Sequence, residues 1–330
     1  MLKHGGCLRE AAQKYQIPLN DWLDLSTGIN PNGYLIPEIP ADVWQRLPEN
    51  LDGLCAAAKD YYQCDSLLAV AGSQAAIQSL PYLREGNSVV GVVAPSYAEH
   101  AYSWQKAGHK VISIPAAEID QFINELDCLV LVNPNNPSAL RFSQERCLKW
   151  LAILQKKKGW LLIDEAFIDS SPELSLSRKI PMQGLIVLRS IGKFFGLAGI
   201  RAGFVLAEDS ILQRLNELLG PWTLSNPTRF VTQRALQDKQ WQQAMRVKLK
   251  ADSKRLSSLL QNFQLKPSGS TSLFQWVLVN NAEEIHIKLA QQAVFTRLFT
   301  KPASLRFGLP ANESEWVHLD LALQSLLVAK

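Results

Sequence analysis

The chain has 330 residues, of which 47% are hydrophobic and 19% charged, and a net charge of +4; that length suffices for one large and one smaller domain around a sizeable core. The charge is spread out, and the one dense basic run, Lys156-Lys157-Lys158, closes an amphipathic helical pattern as a solvated face, which argues against a nucleic-acid surface. No segment approaches roughly 18 uninterrupted apolar residues, so no membrane span is expected; five scattered cysteines without a C-x-x-C pair, and an N-terminus lacking an apolar signal core, point to a reduced cytoplasmic location.

Residues 7–15 read as a short helix and residues 23–26 as a strand entering the loop 27–33. This opening, residues 1–48, is expected to be an arm that packs with the smaller domain. Pro37, Pro40 and Pro48 mark an irregular linker before a helix over 51–62. Residues 49–208 are expected to form the large domain. Its strands are near-continuous apolar runs at 89–93, 111–114, 128–132, 160–163, 185–188 and 204–206, separated by helical patterns such as 97–107 and 143–157. Runs buried on both faces with helical crossovers predict an α/β fold with a mostly parallel central sheet covered by helices. Residues 209–330 read as connecting helices, 211–219 and 228–262 with a break near Asp238, followed by a smaller α+β domain. That domain has strands at 273–279 and 304–307 and helices at 284–292 and 313–328.

Ligands on such sheets bind at the carboxyl ends of the strands, so polar residues that end an apolar run are the candidates for chemistry. Gly72-Ser73-Gln74 follows the run 67–70 and opens a helix, where free backbone N–H groups make an anion site; an ordinary N-cap explains Ser73 equally well. Tyr97, after the run 89–93, could stack on a planar cofactor or simply pack. In Asn133-Pro134-Asn135-Asn136-Pro137-Ser138, two prolines fix the backbone so that asparagines can point at a ligand oxygen, with turn chemistry as the plain alternative. Asp164-Glu165-Ala166-Phe167 ends the run 160–163. A carboxylate there needs a partner, and a protonated pyridine nitrogen fits, with Asp164 mattering more than Glu165; a magnesium site lacks a second acidic cluster. Arg306, in the run 304–307, suits a substrate carboxylate, although surface ion pairs are the common fate of arginine.

The run 185–188 delivers Lys193 into the turn Ser190-Ile191-Gly192-Lys193-Phe194-Phe195-Gly196, and 204–206 leaves it. The spacing of Gly184 and the presence of Phe194 after the lysine fail the P-loop pattern. Phe194 and Phe195 are expected to strip water from the ammonium, and Arg201 to add a fixed positive charge nearby. Both lower an amine pKa and make Lys193 a candidate Schiff-base lysine. A loop lysine among turn glycines is the alternative. Together these strand ends supply an amine, a ring-nitrogen counter-ion, a ring-oxygen donor, a phosphate cup and a carboxylate clamp, a set that suits pyridoxal phosphate.

In that order these residues, with Arg201 eight positions after Lys193, resemble the fold-type I pyridoxal-phosphate enzymes of the class I/II aminotransferase superfamily, over nearly the whole chain. Within it, four segments look like the branch that decarboxylates L-threonine O-3-phosphate in cobalamin biosynthesis. They are His4-Gly5-Gly6 with Arg9-Glu10-Ala11-Ala12, Leu25-Ser26-Thr27-Gly28-Ile29-Asn30-Pro31, residues 70–77, and Gly192-Lys193-Phe194-Phe195-Gly196-Leu197-Ala198-Gly199. Histidinol-phosphate aminotransferases are near relatives.

The resemblance implies that Lys193 binds pyridoxal 5'-phosphate covalently, Asp164 pairs with its ring nitrogen and Asn136 bonds its ring oxygen. It also implies that Gly72, Ser73, Gln74, Ser190 and Arg201 hold its phosphate and that Tyr97 stacks on its ring. Arg306 would take the carboxylate of a phosphorylated amino-acid substrate, His4 and Asn30 would serve the substrate's own end, and a homodimer is implied. Some positions depart from the family pattern. Phe167 replaces a common tyrosine, so Asn136 carries more of the contact to the ring oxygen. Gly192 replaces a hydroxyl residue, Asn136-Pro137-Ser138-Ala139 stands for Asn-Pro-Thr-Gly, and Leu47-Pro48 occupies the place of a tyrosine that reaches the partner subunit. Decarboxylation and transamination need the same residues and differ in the tilt of the substrate, so an aminotransferase of the histidinol-phosphate type, exchanging with 2-oxoglutarate and glutamate, is the alternative. A non-catalytic cofactor-binding regulator is a minor one, since the short arm has no room for a DNA-binding domain.

Overall fold

The computed structural model describes residues 5–328, and it divides into two compact units. The larger holds Gly33–Asn136 and Leu140–Ala244; the smaller holds the residues up to Asn32, Pro137–Ala139 and the residues from Met245 onward. The smaller unit begins with α1 (Leu8–Tyr15) and the two-residue strand β1 (Leu23–Asp24).

In the larger unit, α2 (Ala41–Gln45) and α3 (Leu54–Tyr62) lead into a seven-stranded sheet. Its strands are β2 (Leu68–Val70), β3 (Val89–Ala94), β4 (Lys110–Pro115), β5 (Cys128–Val132), β6 (Trp160–Asp164), β7 (Leu185–Ser190) and β8 (Gly203–Leu206), in the order β2-β8-β7-β6-β5-β3-β4. β3 to β7 pair in parallel, and β8 runs against both of its neighbours. β5, β6 and β7 are buried at every residue, because helices cover both faces and leave no side on which a polar residue could alternate. The helices of this unit are α4 (Gly72–Ser79), α5 (Ala98–Lys106), α6 (Ile119–Phe122), α7 (Gln144–Gln155), α8 (Asp209–Leu219) and α9 (Asn226–Gln237). Trp104 and Leu215 from the helices meet Val130, Leu162, Ile186 and Leu188 from the sheet in one apolar core.

The expected boundaries near residues 48 and 208 fall inside the larger unit. α9 packs along α3 and α8 against α4, and Arg229 of α9 fastens the segment before α3 by donating to both carboxylate oxygens of Asp52 and to the Glu49 carbonyl. The long helical stretch breaks where expected, at Asp238. This residue separates α9 from α10 (Lys239–Asn262) and caps the second helix by accepting the Trp241 N–H at 2.9 Å.

The smaller unit continues with β9 (Gly269–Ser270), β10 (Phe274–Leu278), α11 (Ala282–Gln291), β11 (Val294–Phe295), β12 (Arg297–Thr300), β13 (Ala303–Gly308) and α12 (Glu313–Val328). Its antiparallel sheet has the order β12-β13-β10-β9, while β1 pairs in parallel with β11. α1 lies on α11 through Ala11, Trp22, Ala290 and Ala293. Sequence reading had no place for β12, an edge strand whose half-buried residues lack the long apolar run that marks the central strands. Among the described residues, no helix is long and apolar enough to cross a membrane.

Candidate active site

Parallel pairing brings the carboxyl ends of β5, β6 and β7 side by side: Val132 lies opposite Asp164, and Asp164 opposite Leu188. On the other flank, Gly203 of β8 lies between Val70 and Ser190. The resulting cleft of the larger unit is lined by Gly72, Ser73, Gln74, Tyr97, Asn136, Asp164, Ser190, Lys193 and Arg201. Every cofactor residue expected from the sequence is therefore in one place.

Two glycines shape one end of the cleft. Gly72 has φ +73, and a Cβ there would meet the Arg201 guanidinium at 2.8 Å; a Cβ on Gly203 would meet the Ser73 nitrogen at 2.7 Å and the Arg189 carbonyl at 2.8 Å. Without side chains at these positions, the first turn of α4 and the Arg201 guanidinium can come together. Arg201 itself is left-handed, φ 54 and ψ 52, a conformation that non-glycine residues adopt at a cost of about 1 kcal/mol. The Ser190 hydroxyl accepts the Gly192 N–H at 3.2 Å and lines the same end. This is a cradle for an anion, built from N–H groups, a hydroxyl and a guanidinium. The Gln74 side chain is engaged within the protein, donating to Glu99 at 2.8 Å and accepting from the Tyr97 hydroxyl at 3.1 Å, so it is the Gln74 main chain that can serve an anion.

Also lining the cleft, Asp164 is 4% exposed; one oxygen accepts the Ala166 N–H at 3.0 Å and the other meets His100 Nε2 at 3.0 Å. His100 is fully buried in the first turn of α5 and has no hydrogen-bond partner at Nδ1 among the described residues. An ionised carboxylate only accepts, so Nε2 carries the proton of this bond. Sequence reading missed His100. The signal was its place three residues after Tyr97, which puts both side chains on the face of the helix that opens at a strand end.

The three asparagines after β5 divide their work. Asn133 closes the loop by donating to the Phe142 carbonyl and accepting the Phe142 N–H, and Asn135 donates to the Pro95 carbonyl at 2.8 Å. Asn136 lines the cleft. Turn chemistry and ligand chemistry both operate here, on different residues.

The Phe167 ring lies beside the Lys193 ammonium, with Nζ 5.6 Å from its centroid. The Phe194 and Phe195 rings are buried against Trp241, and Phe195 stacks on it at 5.6 Å. Tyr34 joins the cluster by meeting Trp241 edge-on and donating its N–H to the Phe195 carbonyl at 2.8 Å. The two phenylalanines anchor the lysine loop.

Behind the cleft, Glu165 faces away from Asp164. It is fully buried, accepting from Arg189 at 3.2 Å, from the Leu176 N–H at 2.9 Å and from the Ser175 hydroxyl. Arg189 also meets Asp169 at 2.5 Å and lies 4.4 Å from the Tyr62 ring. Burial pushes the Glu165 carboxyl up while Arg189 pulls it down; burial also opposes the Arg189 charge, but Asp169 and Glu165 hold its pKa above the usual value. Arg189→Met leaves two carboxylates buried without their cation, and urea unfolding should show a loss of about 3–5 kcal/mol. A loss below about 1 kcal/mol would contradict a charged network.

The expected substrate residues belong to the smaller unit. Arg306, 5% exposed, donates to the Ser26 carbonyl at 2.6 Å and lies 5.2 Å from the Phe274 ring. Burial, then Arg297, lowers its pKa to about 9. It remains charged at neutral pH. Arg297 is its direct partner across the β12–β13 ladder, and was missed in the sequence because β12 was. Two neighbouring guanidiniums, one of them buried, make an anion receptor. Asn30 is 2% exposed and accepts the Asn32 N–H at 2.9 Å. His4 lies outside the described residues.

The family described as aminotransferase class I and II matches residues 44–318. A threonine-phosphate decarboxylase of Pseudomonas aeruginosa is 52% identical over 323 residues, spanning 98% of this chain and 97% of its own. One from Sinorhizobium sp is 38% identical over 312 residues, 93% of this chain and 92% of its own. Among solved structures, the histidinol-phosphate aminotransferase of Sinorhizobium meliloti in complex with pyridoxal-5'-phosphate has a TM-score of 0.83 at 18% identity, covering 98% of this chain and 96% of that one.

Proposed function

This chain belongs to the aminotransferase class I and II family, and from that premise we propose that it is a pyridoxal-phosphate-dependent decarboxylase of L-threonine O-3-phosphate. The product is (R)-1-aminopropan-2-ol O-2-phosphate, an aminopropanol unit for cobalamin assembly. The observation that carries this reading is the 52% identity to a threonine-phosphate decarboxylase across 98% of the chain.

The residues of the cleft fit the cofactor on their own chemistry. A cradle that a Cβ at Gly72 would fill holds a guanidinium and N–H donors for a phosphate. A buried carboxylate backed by a histidine stands ready for a ring cation, and a lysine amine lies between them in the chain's glycine-rich turn. When bound, pyridoxal phosphate supplies an aldehyde for an amine and a conjugated ring that accepts the electron pair left at Cα.

The protein's part is to bind, orient and manage protons. Ser73, Ser190, Arg201 and the main chain of Gly72 and Gln74 would hold the cofactor phosphate, Asn136 would bond the ring oxygen and Tyr97 would pack against the ring. Asp164 would keep a proton on the ring nitrogen, and His100 holds Asp164 in place. Lys193 Nζ would hold the cofactor through its aldehyde and would hold the proton that is returned to Cα. Arg306 binds the substrate carboxylate, Arg297 the phosphate ester, and Asn30 with His4 completes the substrate's end. The test is to incubate holoenzyme with O-phospho-L-threonine. One carbon dioxide per aminopropanol phosphate is expected, and amino transfer to 2-oxoglutarate without gas release would overturn the reading.

The active protein is a homodimer in this proposal. Leu35, Ile36, Trp44, Leu47 and Leu51 are 85%, 59%, 64%, 64% and 98% exposed, on a segment whose backbone Arg229 and Asn226 pin down. A fastened segment that turns its apolar side chains outward needs a cover, and a second copy supplies it. Light scattering should give twice the chain mass, and Trp44→Asp with Leu51→Asp should shift it toward one chain. A single-chain mass for the wild type would refute the dimer. No disulfide forms among the described residues, which suits the reducing cytoplasm; cell fractionation checks it.

A further inference from the structure

Gln74 sits between two residues of the neighbouring helix end. Its amide Nε2 donates to Glu99 at 2.8 Å, and its Oε1 accepts from the Tyr97 hydroxyl at 3.1 Å. Tyr97 is the N-cap of α5 and Glu99 lies in its first turn, while Gln74 lies in the first turn of α4. The three side chains therefore form one hydrogen-bonded chain joining the two helix ends that flank the cleft.

The direction of that chain is set at one end. An ionised carboxylate has no proton to give, so it draws the NH2 side of the amide toward itself. The amide oxygen then faces Tyr97, and the phenol must donate. Glu99 is 8% exposed, so water competes little for this arrangement. The phenol is suited to donating: burial first, then Glu99 and Asp164, push its pKa up to about 12 against the pull of Arg201. The Tyr97 ring meets His100 edge-on at 6.1 Å, so it is held from two sides.

We propose that Glu99 is a positioning residue that, acting through Gln74, fixes the Tyr97 ring at the wall of the cleft for the cofactor to pack against. The same contact steadies the first turn of α4, whose main chain belongs to the phosphate cradle. Glu99 is not among the residues that line the cleft. This assignment rests on the reading that the cleft holds pyridoxal phosphate.

Binding of pyridoxal phosphate to the apoprotein, followed by absorbance and by quenching of tryptophan fluorescence, tests it without reference to turnover. Glu99→Leu should weaken binding about tenfold, the equivalent of about 1.4 kcal/mol, as expected for one hydrogen-bonded link. The apoprotein's melting temperature should stay put, because leucine fills the buried site. Gln74→Leu should weaken binding to a similar degree, and the double variant should be no worse than the weaker single, since both substitutions break one chain. Glu99→Gln keeps an acceptor but loses the fixed direction, and should recover most of the binding. Tyr97→Phe should cost affinity in the wild type and nothing further in Glu99→Leu. Wild-type affinity in Glu99→Leu, or losses that multiply in the double variant, would overturn the assignment. If Glu99→Leu does not fold, Gln74→Leu with Tyr97→Phe decides: multiplied losses overturn the chain and a shared loss supports it. Failure of the wild-type apoprotein to take up the cofactor is a different result, and overturns the cofactor reading itself.

Discussion

Lys193→Ala protein is expected to fold, to bind pyridoxal phosphate more weakly, and to lose at least about 10⁴-fold in turnover. The reason is that one atom has two tasks. In the proposed reading Nζ would hold the cofactor through its aldehyde and would hold the proton returned to Cα, so its removal would take away both a covalent anchor and a general acid, the latter alone contributing about 10²–10⁴-fold. Folding should survive because other residues shape the loop. Phe194 and Phe195 lock it onto Trp241, the Phe195 carbonyl accepts the Tyr34 N–H at 2.8 Å, and Gly203 and Gly72 give it room beside α4. Lys193→Arg should be as inactive, since a guanidinium does not lose its proton near neutral pH. Steady-state turnover on O-phospho-L-threonine and borohydride trapping of the cofactor measure the two tasks separately. Activity within tenfold of wild type, or trapping at another residue, would remove Lys193 from the chemistry.

The residues around this lysine also mark what a single sequence can reveal. The central strands were legible because burial on both faces leaves only apolar residues at 128–132, 160–163 and 185–188, a signal that neighbours elsewhere in the chain do not alter. The cleft was legible for a related reason. Parallel strands all end on one edge, so listing the polar residues after each run also lists those that share a site. Partnership was not legible. Nothing in the sequence tells that Gln74 is spoken for by Glu99 and Tyr97, that Asn133 and Asn135 hold backbone while Asn136 faces the cleft, or that the Phe167 ring lies beside the ammonium. These depend on rotamers and on contacts between distant segments. His100 and Arg297 were missed for the same reason: a histidine within a helix and an arginine on an edge strand acquire meaning only from Asp164 and Arg306 beside them.

Asp164→Asn separates charge from shape at the carboxylate that lines the cleft. The amide keeps the volume and its oxygen can still accept the Ala166 N–H, a bond of 3.0 Å in the wild type; only the negative charge goes. If that charge holds a proton on the cofactor ring nitrogen, its loss leaves a buried cation alone. Such an orphan costs about 3–5 kcal/mol, which as a barrier is about 10²–10⁴-fold in kcat. The stability of the apoprotein should move the other way or not at all, because in the absence of a cation a buried carboxylate supported by His100 and one N–H is itself expensive. His100→Gln should have a smaller effect in the same direction, since it disturbs the orientation of the carboxylate and leaves its charge. A kcat for Asp164→Asn within tenfold of wild type, together with unchanged absorbance of the bound cofactor, would show that the electrons released at Cα do not depend on this carboxylate.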